Sequence, residues 1–172
     1  MRNNEKTYDQ IPVDIDHNFK LSIPGLLSVI LDGGAGSSGK GKVGAYVFSK
    51  LSNERFHFAC SNSSSNASHT VVIDGKTHVL KHLSSAITIK QSVEKVYVGQ
   101  GSAIDLDAIR DEIKLAIRNE IAVGIDPMAV IIQDIDIGYE KGTHDFEGNP
   151  KEVDLDNTII RSGSTCSGSG SA

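Results

Sequence analysis

Apolar and polar positions along the chain fall into short blocks whose period changes several times. Residues 1 to 24 are polar and irregular, with Pro12 and Pro24 as breakers, and predict an extension ahead of the fold. From Leu26 the run LLSVILD is continuously apolar and of strand length, the pattern of a strand buried on both faces of a parallel sheet. A glycine cluster ends it. In GKVGAYVFSKLS, Val43, Val47 and Leu51 recur at helical spacing, so a strand, a glycine turn and a helix follow one another. RFHFAC alternates and predicts a second strand, with SNSSSNAS as the loop after it. HTVVIDGKTHVL sets Asp74-Gly75 between two apolar segments, the turn dipeptide of a tight hairpin. KVYVG reads as another short strand. Asp105 stands before LDAIRDEIKLAIRNEI, where Ile109, Ile113, Ile117 and Ile121 recur every fourth residue and predict a capped helix with one apolar face. AVIIQD reads as a further buried strand. From Asp134 to Arg161 the chain is polar with little periodicity, and its last stretch, SGSTCSGSGSA, has the composition of a linker.

Strands alternating with helices predict an α/β fold: a mainly parallel sheet flanked by helices, similar to the P-loop NTPases, with a β-hairpin after the second loop. In such folds ligands meet the carboxyl ends of the strands. A length of 172 residues is that of one domain, and 38% hydrophobic residues are enough for a core. With 17 basic against 22 acidic residues and a net charge of -5, neither a polymeric nucleic acid nor a membrane surface is expected as partner, although a local anion site is compatible with that charge. Cys60 and Cys166 have neither disulfide-framework nor metal spacing and read as buried or incidental thiols, and a cytoplasmic setting is expected. The polar start lacks the apolar centre of a signal peptide, and no run reaches the length of a membrane span.

Three loops hold candidate chemistry. LDGGAGSSGKGK almost spells the phosphate-binding pattern G-x-x-x-x-G-K-[ST], but Gly41 stands where a magnesium-binding hydroxyl is expected. Glycines there let backbone N–H groups approach an anion, the helix amino end adds positive potential, and Lys40 adds a full charge. The alternative is a glycine turn with solvated lysines. NASHT, residues 66 to 70, contains His69; a lone histidine is more often structural than catalytic, and His57, His78 and His82 share that reading. In SGSTCSGSGS, Ser164 and Thr165 can hold a phosphate with hydroxyl and backbone donors, or belong to a linker.

In order and separation the three loops resemble one family, the adenylosuccinate synthetases, which couple aspartate to a purine nucleotide. That family has G-D-E-G-K-G-K after its first strand, then N-A-G-H-T leading into a hairpin, then G-T-T-G-x-G-x-G. This chain has GSSGKGK, NASHTVVIDG and GSTCSGSG, and KHLSSAI and VYVGQGSAID resemble the connecting segments. The likeness runs from about Leu26 to Ala172, which implies an extension at residues 1–25 and the amino-terminal part of a synthetase domain at 26–172. By resemblance, Gly36, Ser38, Gly39, Lys40, Gly41, Lys42, Ser68, His69 and Thr70 bind the triphosphate. Ser37, Asn66, Ala67, Ser164 and Thr165 hold the substrate nucleotide. His69 is the general acid at the transferring phosphoryl group, with Lys40 and Ser37 beside it as candidate catalytic residues. The resemblance also implies Mg²⁺, ATP, dATP or GTP as phosphoryl donor, L-aspartate as co-substrate and a homodimer. In the family a glycine at the position of Gly41 is normal.

Two departures bear on substrate. Ser37 and Ser38 replace the Asp and Glu of the first loop, and Ser68 replaces the glycine of N-A-G-H-T. The family's Asp acts as base on N1 of the purine; serine is neutral and has no basicity unless activated. An Asp at N1 lies beside C2, which carries only hydrogen in inosine but an amino group in guanine. A smaller, neutral Ser37 leaves room for that group and can accept its hydrogen bond. A phage branch of the family has this serine and joins aspartate to dGMP for 2-aminoadenine synthesis, so dGMP is the expected substrate. IMP as in the ordinary enzymes, or a non-catalytic nucleotide-binding role, are the alternatives. With the Asp lost, Mg²⁺ is expected to rely on phosphate oxygens and water, with Ser37 and the carbonyl of Ser68 as protein donors.

Overall fold

The computed structural model describes residues 27, 29–31, 38–50, 56–145, 147–150 and 166–168. Helix α1 (Lys40–Lys50) precedes strand β1 (Phe56–Ser61), the hairpin β2 (His69–Ile73) and β3 (Lys76–Leu80), a 3-10 turn at Ser85–Thr88 and strand β4 (Val93–Val98). Short β5 (Ala103–Ile104), helix α2 (Leu106–Arg118), β6 (Ala122–Ile125), β7 (Val130–Ile131) and helix α3 (Asp134–Glu140) complete the order. Strands β1, β4 and β6 form a parallel sheet in the order β1-β4-β6, and β5 pairs in parallel with β7. The architecture is α/β, with a parallel main sheet.

Physical chemistry sets each element. Asp74 and Gly75 both have positive φ, 49° and 73°, as the mirror-image turn of a two-residue hairpin demands. Asp105 caps α2 by accepting from the amides of Asp107 and Ala108, at 3.0 and 3.2 Å. The core forms where the sheet's inner face meets α2 and the 3-10 turn: Val96, Val98, Ile87, Leu83, Ile104 and Ile109 are all nearly inaccessible.

Several expectations change. Leu27, Val29, Ile30 and Leu31 lie in no strand and are exposed. An apolar run needs a neighbouring ladder and two covering layers to become a buried strand. Among the described residues the sheet has three strands, and its outer face leaves Phe58, Cys60 and Ala122 exposed. In α1 the buried residues are Gly41, Gly44 and Ala45, whereas Val43 is 51% exposed; Leu51 lies outside the described residues. In α2 the buried face is Ile109, Glu112 and Ala116. Ile117 is 65% exposed, because steps of four residues drift about 80° around the helix over eight positions. AVIIQD yields only the two-residue, exposed β7, and the sheet takes β6 instead. The stretch after Asp134 opens with α3, whose capping box joins Gln133 and Asp136. Neither Cys60, which is exposed, nor half-exposed Cys166 is buried.

Candidate functional site

The amino end of α1 and the start of β2 meet. Gly39 precedes the helix with φ of +90°, a conformation that costs glycine little, and its carbonyl accepts from Val43 N–H at 3.1 Å. Gly41 is buried against His69: a Cβ placed there would stand 2.5 Å from the Cβ and 2.8 Å from the Cγ of His69. The hydroxyl-bearing side chain of an ordinary phosphate loop therefore has no room. Gly44, one turn on, is also confined: a Cβ there would stand 2.8 Å from Ser85 Oγ. A helix face made of glycines thus sets the distance between the first loop and His69.

His69 is half-buried at the head of β2. Burial, and then the nearby Lys40 ammonium, hold its pKa below the ordinary value of 6.5, so the imidazole is neutral at physiological pH. A helix amino end, an ammonium and a neutral imidazole facing one another form a setting for anionic phosphate. Thr70, next along β2, leaves on the opposite face of the hairpin. Lys42 is exposed and lies about 200° around α1 from Lys40, so its amide rather than its side chain accompanies the cluster.

The second and third loops also touch. Ser65 Oγ donates to the carbonyl of Ser167 at 3.1 Å, and the Ser167 hydroxyl bonds the side-chain oxygen of Asn66. Gly168 N–H donates to Oε2 of Glu140 at 2.9 Å, and Glu140 is buried on α3. Asn66, Ala67 and Ser68 are exposed beside that junction. Gly36, Ser37, Ser164 and Thr165 lie outside the described residues; Ser38 is exposed just ahead of α1. Sequence reasoning missed Ser65, Ser167 and Glu140. The serines were hidden in low-complexity runs, and Glu140 in a stretch without periodicity.

Among the described residues no group of three His, Cys, Asp or Glu side chains is placed to hold a metal. A single backbone carbonyl, such as that of exposed Ser68, fits Mg²⁺ only as a minor partner to phosphate and water. No helix among the described residues is long and apolar enough to cross a membrane.

Loops and a helix amino end gathered at the carboxyl edge of a parallel sheet define the class: an α/β domain with a candidate anion-binding edge. The family profile of adenylosuccinate synthetase matches residues 29–153, and the chain belongs to that family. It is 34% identical over 106 residues to the N6-succino-2-amino-2'-deoxyadenylate synthase of cyanophage S-2L, covering 61% of this chain and 28% of that protein. Identity is also 34%, over 105 residues, to the adenylosuccinate synthetase of Acidothermus cellulolyticus, covering 60% of this chain and 22% of that protein. Among solved structures, the cyanophage S-2L succinoaminodeoxyadenylate synthetase (PurZ), bound to dGMP and to dATP as an energy donor, superposes with a TM-score of 0.55 at 29% identity. That superposition covers 80% of this chain and 34% of the other. The chain thus spans about a third or less of the length of these relatives.

Proposed function

We propose that the complete protein is a ligase that joins L-aspartate to C6 of dGMP with ATP, or a related triphosphate, as phosphoryl donor. The observation that carries the reaction class is the seating of His69 against Gly41 beside Lys40. In this reading Lys40 and the first-turn amides of α1 hold the triphosphate, and binding its negative charge offsets Lys40 and favours protonation of His69. His69 then donates to the γ-phosphoryl oxygens as O6 of the purine attacks, the N1 proton passes to water or to the substrate's own phosphate, and the nucleoside diphosphate leaves. The aspartate amine next displaces phosphate from C6. Asn66 and the third loop hold the substrate nucleotide, with Ser68 close by. Mg²⁺ would supply charge neutralisation and orientation of the phosphates, and Ser37 and the Ser68 carbonyl would be the protein groups that hold it. A homodimer and a cytoplasmic setting accompany this reading.

The choice of dGMP rests on Ser37, and the likeness to the cyanophage synthase supports it. Equal identity to the Acidothermus enzyme favours a second reading, with IMP as substrate. Turnover of the complete protein with aspartate, Mg²⁺ and ATP, comparing dGMP with IMP, separates the two. Wild type is expected to prefer dGMP, and Ser37→Asp to shift the ratio of kcat/KM values toward IMP by at least about tenfold, near 1.4 kcal/mol. A wild-type preference for IMP would sink the dGMP assignment, and turnover of neither would leave a nucleotide-binding protein.

A further inference from the structure

One buried carboxylate takes no part in the chemistry just described. Glu112 is 5% exposed and stands between Ile109 and Ala116 on the inner face of α2. Its two oxygens receive three backbone donors. Lys81 N–H donates to Oε1 and Leu83 N–H to Oε2, each at 2.6 Å, while His82 N–H lies between them at 3.3 and 3.1 Å. Such convergence of donors is what keeps a buried carboxylate tolerable.

The gripped segment adjoins the candidate site at both ends. His69 pairs across the hairpin with Leu80, so residues 81–83 begin where the partner of His69 ends. The carbonyl of His82 accepts from Ser61 Oγ at 2.7 Å and from Ser63 Oγ at 3.1 Å, where β1 gives way to the loop that carries Asn66 and Ser68. The His82 ring accepts at Nε2 from the amide of Asp105, at 3.2 Å, which ties the same segment to the start of α2. Past Leu83 the chain enters the 3-10 turn, whose Ser85 presses on Gly44 of α1. Hairpin, second loop and phosphate helix therefore share one anchor.

We propose that Glu112 is a positioning residue: by clamping residues 81–83 it fixes both ends of the segment from Asn66 to His69, and so the seat of His69 against Gly41. The functional weight of this clamp rests on the phosphoryl-transfer reading above. A carboxylate is required because an amide would aim its own N–H groups at one of the three donors.

The test compares the complete wild-type protein with Glu112→Gln, without nucleotide, by hydrogen exchange read by mass spectrometry. Faster exchange is expected in residues 79–84 and also in 61–70, with 93–98 unchanged. In turnover, kcat is expected to fall about 100-fold, as for a misplaced catalytic group, with little change in KM for the triphosphate. Faster exchange confined to 79–84, or an unchanged kcat, overturns the proposal. Should Glu112→Gln fail to fold, the double variant Ser61→Ala, Ser63→Ala cuts the same link outside the core. It should quicken exchange in 64–70 and lower kcat, and unchanged protection there overturns the proposal. Because exchange is measured without nucleotide, a wild-type protein inert toward both dGMP and IMP would remove the proposed function while the clamp is still decided.

Discussion

Helices α1 and α2 are 11 and 13 residues long and follow opposite designs. In α2 an aspartate caps the amino end, Asp107 lies in the first turn, Arg118 in the last, and Ile109 and Ala116 flank Glu112 on the buried face. The cap, the placed charges and the apolar flanks each stabilise a helix. In α1 the first turn holds Lys40 and Lys42 and no acidic residue, and the buried face is Gly41, Gly44 and Ala45. Cations at an amino end oppose the helix dipole, and each interior glycine costs up to about 1 kcal/mol relative to alanine. The contrast separates a helix rich in stabilising features from one whose amino end is positive and whose flat glycine face lies close against His69. Under the proposed function, the rules broken at α1 belong to the site and those kept at α2 to its support.

The largest effect is expected at the charge itself. Lys40→Ala should weaken triphosphate binding, measured by titration calorimetry, and lower turnover by about 10² to 10³, the loss typical of one preorganised charge-stabilising donor. Unchanged binding and rate would place the phosphate elsewhere and reduce α1 to an ordinary helix.

Next comes the flat face. By propensity alone Gly41→Ala stabilises α1 by up to about 1 kcal/mol. The new Cβ would meet His69 at 2.5 Å, however, and both atoms belong to stiff parts of the structure. Relieving that overpacking costs about 1–3 kcal/mol and outweighs the propensity gain, so a melting temperature lowered by a few degrees is expected together with a turnover loss of about tenfold or more, since a displacement near 1 Å is enough to disturb catalysis. Full activity in this variant would show that the contact between α1 and His69 is incidental.

The smallest effect tests the supporting helix. Asp105→Ala removes two capping bonds and should cost about 1 kcal/mol, a few degrees in melting temperature, while triphosphate affinity stays as in wild type. A loss of affinity without a loss of stability would mean that α2 reaches the phosphate site more directly than through its packing.

Much of the architecture was legible in the residues. The hairpin follows from Asp74-Gly75 between two apolar runs, α2 from an aspartate ahead of a helical repeat, and the strand character of β1 and β4 from local alternation, because each depends on neighbours a few positions away. The three glycine- and serine-rich loops stood out for the same reason, as strings, and the family match spans the first two of them. What could not be read locally was which side of each element would find a partner. Apolar residues at 27 and 29–31 lack a strand pairing among the described residues, Ile117 rotates out of the α2 interface, and β6 and α3 form where short-range pattern is weak.

Residue order by itself determined the family, and it singled out Lys40, His69 and Ser37 as the candidates that the proposed function uses. All are matters of identity and spacing, which survive without coordinates. Tertiary structure decided why Gly41 is glycine, why Glu112 and Glu140 tolerate burial, and that Ser167 lies beside Asn66, 101 residues away in sequence. Those are matters of contact between distant segments: a side chain's room is set by what packs against it, and a buried charge is stable only where other parts of the backbone bring it donors.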